Sequence, residues 1–383
     1  MALTNFASLT SNQLTAWSRD FWRVARNMSF INQFAGTGSN AMVQRITDLT
    51  KSDKGTKAVI TLLADMTGDG ITGDNTLEGN EEALRAYDIT IELDQLRFAN
   101  RIAGRLADQK SVVNFRENSR DALAYAMADR MDQLAFLTLS GSAYTNKTNG
   151  ALRTTSATTG HELVDLEFAS DVSAPSTARH RRYDAGTTSI VAGDTTAIVA
   201  ADTINYRAIV ELKAYAKDNY IRGIRGAGNE EVFHMFVTPQ QMADLKLDSD
   251  FLANVRNAGI RGPNNQLFAG SSSLMVDGVM VHEFRHVFST EGATGGTSAN
   301  AGSAGYKWGA NADQDGARAL FCGAQALAMA DIGNPEVVEE TFDYGNQSGI
   351  SIGKIFGLRK PKYNSDYNGA VEDFGVICLD TAV

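Results

Sequence analysis

The chain has 383 residues, of which 43% are hydrophobic and 21% are charged, as in ordinary globular proteins with enough material for a sizeable core. Its formal net charge of −10 disfavours a protein whose main task is to wrap nucleic acid, because neutralising phosphates requires a basic surface. The charge does not exclude an acidic shell that encloses nucleic acid.

The cysteines and the N-terminal sequence indicate the cellular compartment in which the chain folds. Cys322 and Cys378 lie far apart in apolar segments, without zinc spacing and without the number that a disulfide framework needs. They are therefore predicted to be buried thiols in a reducing compartment. No signal peptide opens the chain and no apolar run reaches membrane length, so we expect folding in the cytoplasm and no membrane partner.

An amphipathic helix is predicted from Ser11 onward. Trp17 and Phe21 lie on one helical face, and Trp22 flanks it. Such a helix can pack on its own domain, as terminal amphipathic helices commonly do, or dock on a neighbouring subunit, because Trp is a favoured interface anchor. The three aromatic side chains offer more surface than a short arm buries alone, so we expect them to make contacts between subunits.

A long two-stranded arm is predicted over residues 41–106. Strand-like runs at 42–49, 57–66 and 85–96 flank a glycine-rich acidic stretch at 67–82, which we interpret as a charged tip. An isolated hairpin is marginal in water, so the arm is expected to rest on a partner. The tip carboxylates expected to contact a neighbouring subunit are Asp69, Asp74, Glu78, Glu81 and Glu82.

The stretch 111–141 predicts a helix of about 25 residues, roughly 37 Å long at 1.5 Å per residue. Its apolar stripe consists of Leu123, Met127, Met131 and Leu134. Asn114, with Glu117 three residues later, is typical of a helix start, and Gly141 suits the position after the last turn.

Residues 141–201 are rich in Ser, Thr, Ala and Gly, which indicates an insertion or a functional loop. The segment contains a basic cluster whose arginines, Arg179, Arg181 and Arg182, are candidate intersubunit contacts. The cluster is short for a nucleic-acid patch, so a salt-bridged surface loop is the preferred interpretation.

The rest of the chain predicts a mixed α+β fold. A helix is expected near residues 204–215, and a strand at 232–237 leads into a capping box of Thr238 and Gln241. The remaining predictions are a helix from Asp248, a strand over 274–288, a loop over 289–316 and C-terminal strands. Residues 317–331 are apolar throughout, so periodicity leaves helix and strand open there.

The sequence HEFRH at 282–286 matches a zinc-protease motif. That chemistry requires a helix, so that the two histidines face one metal ion. Here β-branched residues flank the motif and no third ligand follows at a familiar spacing. We therefore predict a structural strand, with His282 and His286 roughly 13 Å apart at ~3.3 Å per residue.

The sequence GDGITG at 68–73 matches the dinucleotide fingerprint. No apolar helical stripe follows it, and the surrounding carboxylates would repel phosphate. The same stretch fails as a calcium loop, because Thr76 stands where the bidentate glutamate should be. No cofactor, metal or catalytic residue is predicted, and we do not expect an enzyme.

Sequence stretches that match a known protein family occur along most of the chain, outside residues 141–201 and 289–316. It includes WSRDFWRVARN, TLEGNEEALRAYD, DQKSVVNFRENSRDALAY, DQLAFLTLSG, VTPQQM and DFGVI. In the order and the residues of these stretches, the chain resembles the major capsid proteins of tailed double-stranded DNA bacteriophages, which share the Hong Kong 97 capsid fold.

The resemblance implies an organisation of the chain. It assigns residues 1–40 to an N-terminal arm, 41–106 to an extended loop, 107–140 to the spine helix of a peripheral domain, 141–201 to an insertion, 202–335 mainly to an axial domain, and 336–383 to strands that complete the sheets. Because the resemblance to the family starts at Met1, no long N-terminal scaffolding segment is expected.

The resemblance also implies a function. Hexamers and pentamers of the chain would form the icosahedral shell of the virion around double-stranded DNA, without sequence-specific binding. Assembly in the host cytoplasm would involve a portal, a scaffold and a decoration protein. Some shells of this fold weld subunits through an isopeptide bond from a lysine of the extended loop.

Two other functions stay open at this stage. An encapsulin-like nanocompartment has the same fold and encloses cargo enzymes instead of DNA. A zinc hydrolase that uses residues 282–286 is the alternative from another class.

Overall fold

The computed structural model describes residues 29–47, 55–63, 68–83, 86–110, 115–154, 162–226, 230–258, 273–365 and 369–383. Within these ranges the chain forms five α-helices and eighteen β-strands. The helices are α1 (Arg105–Lys110), α2 (Phe115–Ser140), α3 (Tyr206–Asp218), α4 (Pro239–Leu247) and α5 (Ser249–Ala258). None of these helices is both long and apolar enough to span a membrane.

The strands alternate with these helices and with short 3-10 turns. The first nine are β1 (Ala35–Gly36), β2 (Val43–Ile46), β3 (Lys57–Leu63), β4 (Ala86–Glu92), β5 (Asp94–Arg101), β6 (His180–Asp184), β7 (Ser189–Ala192), β8 (Ile224–Arg225) and β9 (Glu231–Val237). The others are β10 (Ser273–Val276), β11 (Val279–Glu283), β12 (Gly316–Cys322), β13 (Leu327–Asp331), β14 (Glu336–Phe342), β15 (Gln347–Arg359), β16 (Lys362–Ser365), β17 (Ala370–Asp373) and β18 (Val376–Ala382).

The long helix α2 is the spine of the fold, and its 26 residues confirm the predicted helix. Its predicted apolar stripe is buried among side chains from both large sheets. Gly141 ends it with a φ of +68°, and a Cβ there would lie 2.5 Å from the carbonyl oxygen of Ser173. Glycine therefore serves both the left-handed turn and the close approach. The predicted cap Asn114 lies outside the described residues.

A six-stranded sheet lies against α2 and is organised around β15. This strand has 13 residues, enough to pair with β5 along one edge and with β14 and then β13 along the other. Strand β2 runs parallel to β13, and β1 runs parallel to β2. The sheet therefore combines strands from both ends of the sequence.

The second large sheet has eight strands, in the order β10-β11-β9-β12-β18-β6-β7, with β8 paired to β9. Helices α3 and α4 and the first turn of α5 contribute to a core on one of its faces. The capping box of Thr238 and Gln241 opens α4 as predicted. Two strands of this sheet, β6 and β7, come from the segment 141–201.

The undecided apolar segment 317–331 contains strands β12 and β13, joined by a short turn. Every residue of both strands is buried. Because both faces are covered, the segment lacks the alternation of a strand with one solvent-exposed face. That explains why its pattern could not distinguish a strand from a buried helix.

The hairpin of the extended loop consists of β3 and β4, which pair from Lys57↔Glu92 to Leu63↔Ala86. It is shorter than the predicted range 41–106, because β2 and β5 at the two ends of that range belong to the six-stranded sheet. One face of the hairpin, including Ile60 and Ile91, packs against β13.

Candidate intersubunit interface

The described chain begins at an anchor on the spine helix. The carboxylate of Asp132 accepts hydrogen bonds from the Ser29 hydroxyl at 2.7 Å, the Phe30 amide at 2.9 Å and the Ile31 amide at 3.1 Å. Burial raises the pKa of Asp132, and these three donors oppose the shift. The anchor fixes residues 29–31 on the spine helix. The predicted contacts Trp17, Phe21 and Trp22 lie outside the described residues.

Aromatic rings reinforce this anchor. The Phe30 ring stacks on Phe284 with centroids 4.2 Å apart, and the Phe34 ring lies 5.1 Å from His234 and 5.2 Å from His282. The histidines contact each other, with His234 Nδ1 2.9 Å from His282 Nε2. Sequence reasoning missed this pair, because the parallel pairing of β9 and β11 brings together residues 48 positions apart.

The environment keeps both histidines of this pair neutral. Burial lowers the pKa of His234. Burial and, to a smaller extent, the neighbouring His234 together lower the pKa of His282 to about 4. A hydrogen bond between two imidazoles needs one ring nitrogen to donate and the other to accept, which a doubly protonated pair cannot do.

Acidification is therefore expected to destabilise the chain through His282. The folded pKa lies below the unfolded value of 6.5, so this contribution is present above pH 6.5 and decreases as the pH falls toward 4. Between pH 7.5 and 5 we expect a loss on the order of 1 kcal/mol in the free energy of unfolding. Urea unfolding at both pH values measures it. His282→Gln should show a smaller loss, and an equal loss in both proteins would contradict the assignment.

The zinc-like motif is divided between a strand and a turn. His282 and Glu283 end β11 as predicted, whereas Arg285 and His286 lie in a turn, so the prediction of a strand is wrong for them. His282 contacts His234, while His286 Nε2 lies 2.8 Å from Asp129 Oδ1 on the spine helix. In the described part of the chain, no three His, Cys, Asp or Glu residues are grouped to hold a metal ion.

The tip of the extended loop presents most of its acidic residues to solvent. Asp69, Asp74 and Glu78 are exposed and contact no cation among the described residues. Glu81 and Glu82 accept hydrogen bonds from the Gly79 and Gly68 amides, at 2.8 Å and 2.7 Å. Asp69, Asp74 and Glu78 therefore give the tip exposed negative charge.

The basic cluster at 179–182 is not the predicted surface loop. Arg179 is only 2% exposed and lies 3.0 Å from Glu372, while the next three residues belong to β6 in the eight-stranded sheet. Arg181 stacks over the Tyr215 ring at 4.0 Å, and Arg182 lies 3.6 Å from the buried Asp202. Each of the three arginines therefore has a contact within its own chain, and their contact with a neighbouring subunit stays a prediction.

Behind this cluster, one buried ion pair ties the spine helix to the eight-stranded sheet. Arg318 on β12 makes two hydrogen bonds to Asp380 on β18, at 2.6 and 2.9 Å, and a third to the Ser140 carbonyl oxygen at 2.9 Å. His180 Nε2 lies 2.6 Å from the same carboxylate. Burial would raise the pKa of Asp380, but the Arg318 charge and the hydrogen bonds outweigh it and lower the pKa.

Comparisons with known proteins identify the family to which the chain belongs. Residues 5–383 match the family described as phage capsid protein. The chain belongs to this family. It is also 54% identical over 377 residues to the major capsid protein of Pseudomonas phage KPP25, covering 98% of this chain and 96% of that protein. As a capsid protein, the chain forms part of the virion shell.

Solved capsid structures confirm the predicted Hong Kong 97 fold. The capsid of Ralstonia phage GP4 matches with a TM-score of 0.70 and 26% identity, covering 92% of this chain and 90% of that chain. The capsid of cyanophage Pam1 matches with a TM-score of 0.67 at 18% identity, covering 100% and 96%, which shows the shared fold. The encapsulin-like and zinc-hydrolase alternatives have no support in these comparisons.

Proposed function

We propose that this capsid protein is the major subunit of an icosahedral shell, in which its hexamers and pentamers enclose double-stranded phage DNA. The observation that carries the proposal is the 54% identity, over nearly the whole chain, to a major capsid protein. The net charge of −10 supports a shell that encloses DNA without sequence-specific contacts.

The extended loop supports assembly from many copies. One face of the β3–β4 hairpin packs on β13, while Val59 on the hairpin is 53% exposed and Leu77 at the tip is 61% exposed. A two-stranded hairpin with apolar side chains in water gains stability from a further surface. A neighbouring copy supplies that surface in a closed shell.

The remaining partners follow from the family resemblance. We propose that shells assemble in the cytoplasm of the bacterial host with a scaffold and a portal, and that a decoration protein can bind the finished surface. No described residue is assigned to these partners.

Electron microscopy of the protein tests this function. The chain, expressed with its scaffold, should form closed particles in which it is the most abundant protein, and particles from infected cells should contain double-stranded DNA. Particles filled with an enzyme cargo would favour a nanocompartment. A chain that stays monomeric under these conditions would contradict a shell function.

The shell is expected to be held without covalent links from the extended loop. No lysine occurs between Lys57 and Lys110, so the tip lacks the amine that an isopeptide bond needs. Lys57 Nζ lies 2.6 Å from Glu92 Oε1, and this hydrogen bond raises the pKa of the amine and keeps it protonated. Particles boiled in detergent with reductant should give one band on a denaturing gel. A ladder of oligomers would refute this.

A further inference from the structure

One face of the eight-stranded sheet presents two methionines and two histidines on strands β10, β11 and β9. Met275 on β10 pairs with Met280 on β11, and Met280 pairs in turn with His234 on β9. Paired residues share a face of the sheet, and neighbouring strands lie about 4.8 Å apart. His282 lies on the same face, because it follows Met280 by two positions on β11. The sheet thus brings two thioethers and two imidazoles together.

These side chains lie on the face opposite the core formed with α3 and α4. Val279 and Val281 of β11 are buried in that core. Because side chains alternate along a strand, Met280 and His282 lie on the other face. Met280 is 37% exposed, and both histidines are half-buried. An ion from solvent can therefore reach the side chains.

The nitrogen atoms of the two imidazoles are already close together. His234 Nδ1 lies 2.9 Å from His282 Nε2. Two imidazole nitrogens that bind one ion at about 2.0 Å are roughly 3.3 Å apart at a tetrahedral angle, so a small separation of the rings admits an ion. The ring that donates the present hydrogen bond then carries its proton on the other nitrogen, and both imidazoles stay neutral.

Aromatic side chains hold the two imidazoles in place. The ring of Phe34 packs against both histidines, and the ring of Phe236 lies 5.4 Å from that of His282. Side chains that are fixed by packing lose little freedom when they bind an ion. An apolar shell around a metal site also limits the access of water.

The available ligands favour a soft, singly charged metal ion. In the part of the chain that the structure describes, no carboxylate or thiol joins the two histidines to form a group of three. Zinc is ordinarily held by imidazole, thiolate or carboxylate, whereas a thioether is a ligand for Cu(I). Two imidazoles and a thioether are all neutral. A singly charged ion therefore brings less uncompensated charge into the half-buried site than a doubly charged ion.

We propose that His234, His282 and Met280 form a binding site for a Cu(I) ion. Its ligands are one ring nitrogen of each histidine and the sulfur of Met280. Met275 lies one strand farther from His234 and is not a ligand. The bound ion links β9 to β11 within one chain, so the proposal goes beyond the shell function and does not depend on it.

Anaerobic titration of the purified, unassembled chain with Cu(I), in competition with the chelator bicinchoninate, tests the site. The unaltered chain should bind one Cu(I) ion, and X-ray absorption should show two nitrogen neighbours and one sulfur neighbour. The midpoint of thermal unfolding should rise with Cu(I), because the ion binds the folded chain.

Substitutions of the three ligands should weaken this binding. His234→Gln and His282→Gln should each lower the affinity by at least about 100-fold, and Met280→Leu by about tenfold, with loss of the sulfur neighbour. Leucine has a similar volume to methionine, and Met280 is partly exposed, so this variant should keep the fold. Circular dichroism checks each variant, and Met280→Leu decides if a histidine variant does not fold.

Two matched controls locate the ion. Met275→Leu removes the neighbouring thioether of the same hairpin, and His286→Gln removes the second histidine of the zinc-like motif. Both variants should bind Cu(I) as tightly as the unaltered chain.

The other outcomes would overturn the site and leave the proposed shell function standing. These outcomes are no saturable binding of Cu(I), unchanged affinity in Met280→Leu, and an equal loss in Met275→Leu. Loss of binding in His286→Gln would assign the ion to the zinc-like motif. An ion with only sulfur neighbours would assign it to the cysteines, and Zn²⁺ binding as tight as that of Cu(I) would refute the choice of metal.

Discussion

Replacing Arg318 with alanine is expected to lower the free energy of unfolding by about 3–5 kcal/mol, because it leaves a buried carboxylate without its main counter-charge. Asp380 is fully buried and receives two hydrogen bonds from Arg318. The substitution also removes the donor to the Ser140 carbonyl oxygen at the end of the spine helix. Equilibrium urea unfolding of the unassembled chain measures the loss.

Two comparisons make this prediction specific. Arg207→Ala breaks the exposed pair with Glu211 and should lower the free energy of unfolding far less, because solvent screens an exposed ion pair. Replacing both buried partners, with Arg318→Met and Asp380→Leu, should cost less than Arg318→Ala alone, because no unpaired charge remains. If the free energy of unfolding of Arg318→Ala lies within about 1 kcal/mol of that of the unaltered chain, the ion pair does not stabilise the fold by the expected amount.

Deletion of residues 1–27 is expected to abolish closed shells and leave a folded chain. The deletion removes Trp17, Phe21 and Trp22, the aromatic contacts that we assign to neighbouring subunits from the sequence. It ends before Ser29, so the hydrogen bonds to Asp132 are kept. Sedimentation and electron microscopy give the assembly state, and circular dichroism gives the fold.

A milder variant tests the aromatic surface itself. Trp17→Ala with Trp22→Ala keeps the full chain length and should also reduce the yield of particles. Normal shells from both the deletion and the double variant would show that these residues pack elsewhere or are dispensable.

The sequence predicted elements with one exposed face better than elements that are buried on both. The spine helix could be predicted because its stripe recurs at helical spacing and Gly141 marks its end. Strands β12 and β13 could not, because burial of every residue removes the alternation. The prediction of a surface loop at residues 179–182 was wrong. The local charge pattern does not reveal that the carboxylates of Glu372 and Asp202, which are distant in sequence, pair with the arginines.

In the candidate interface, too, some features could be predicted from the sequence and others could not. The acidic tip was recognisable because its charges are consecutive in sequence and exposed. The pair of His234 and His282 depends on the register of parallel strands, which no local pattern specifies.

The position of β18 in the eight-stranded sheet has a consequence during protein synthesis. This strand lies between β12 and β6 and is buried along its whole length, so the sheet cannot close until residue 382 has left the ribosome. A chain broken off before residue 376 would expose the edges of two strands and leave Arg318 without Asp380. Such fragments would be substrates for proteases and aggregation. The fold thus restricts the supply of subunits to chains whose translation has passed β18.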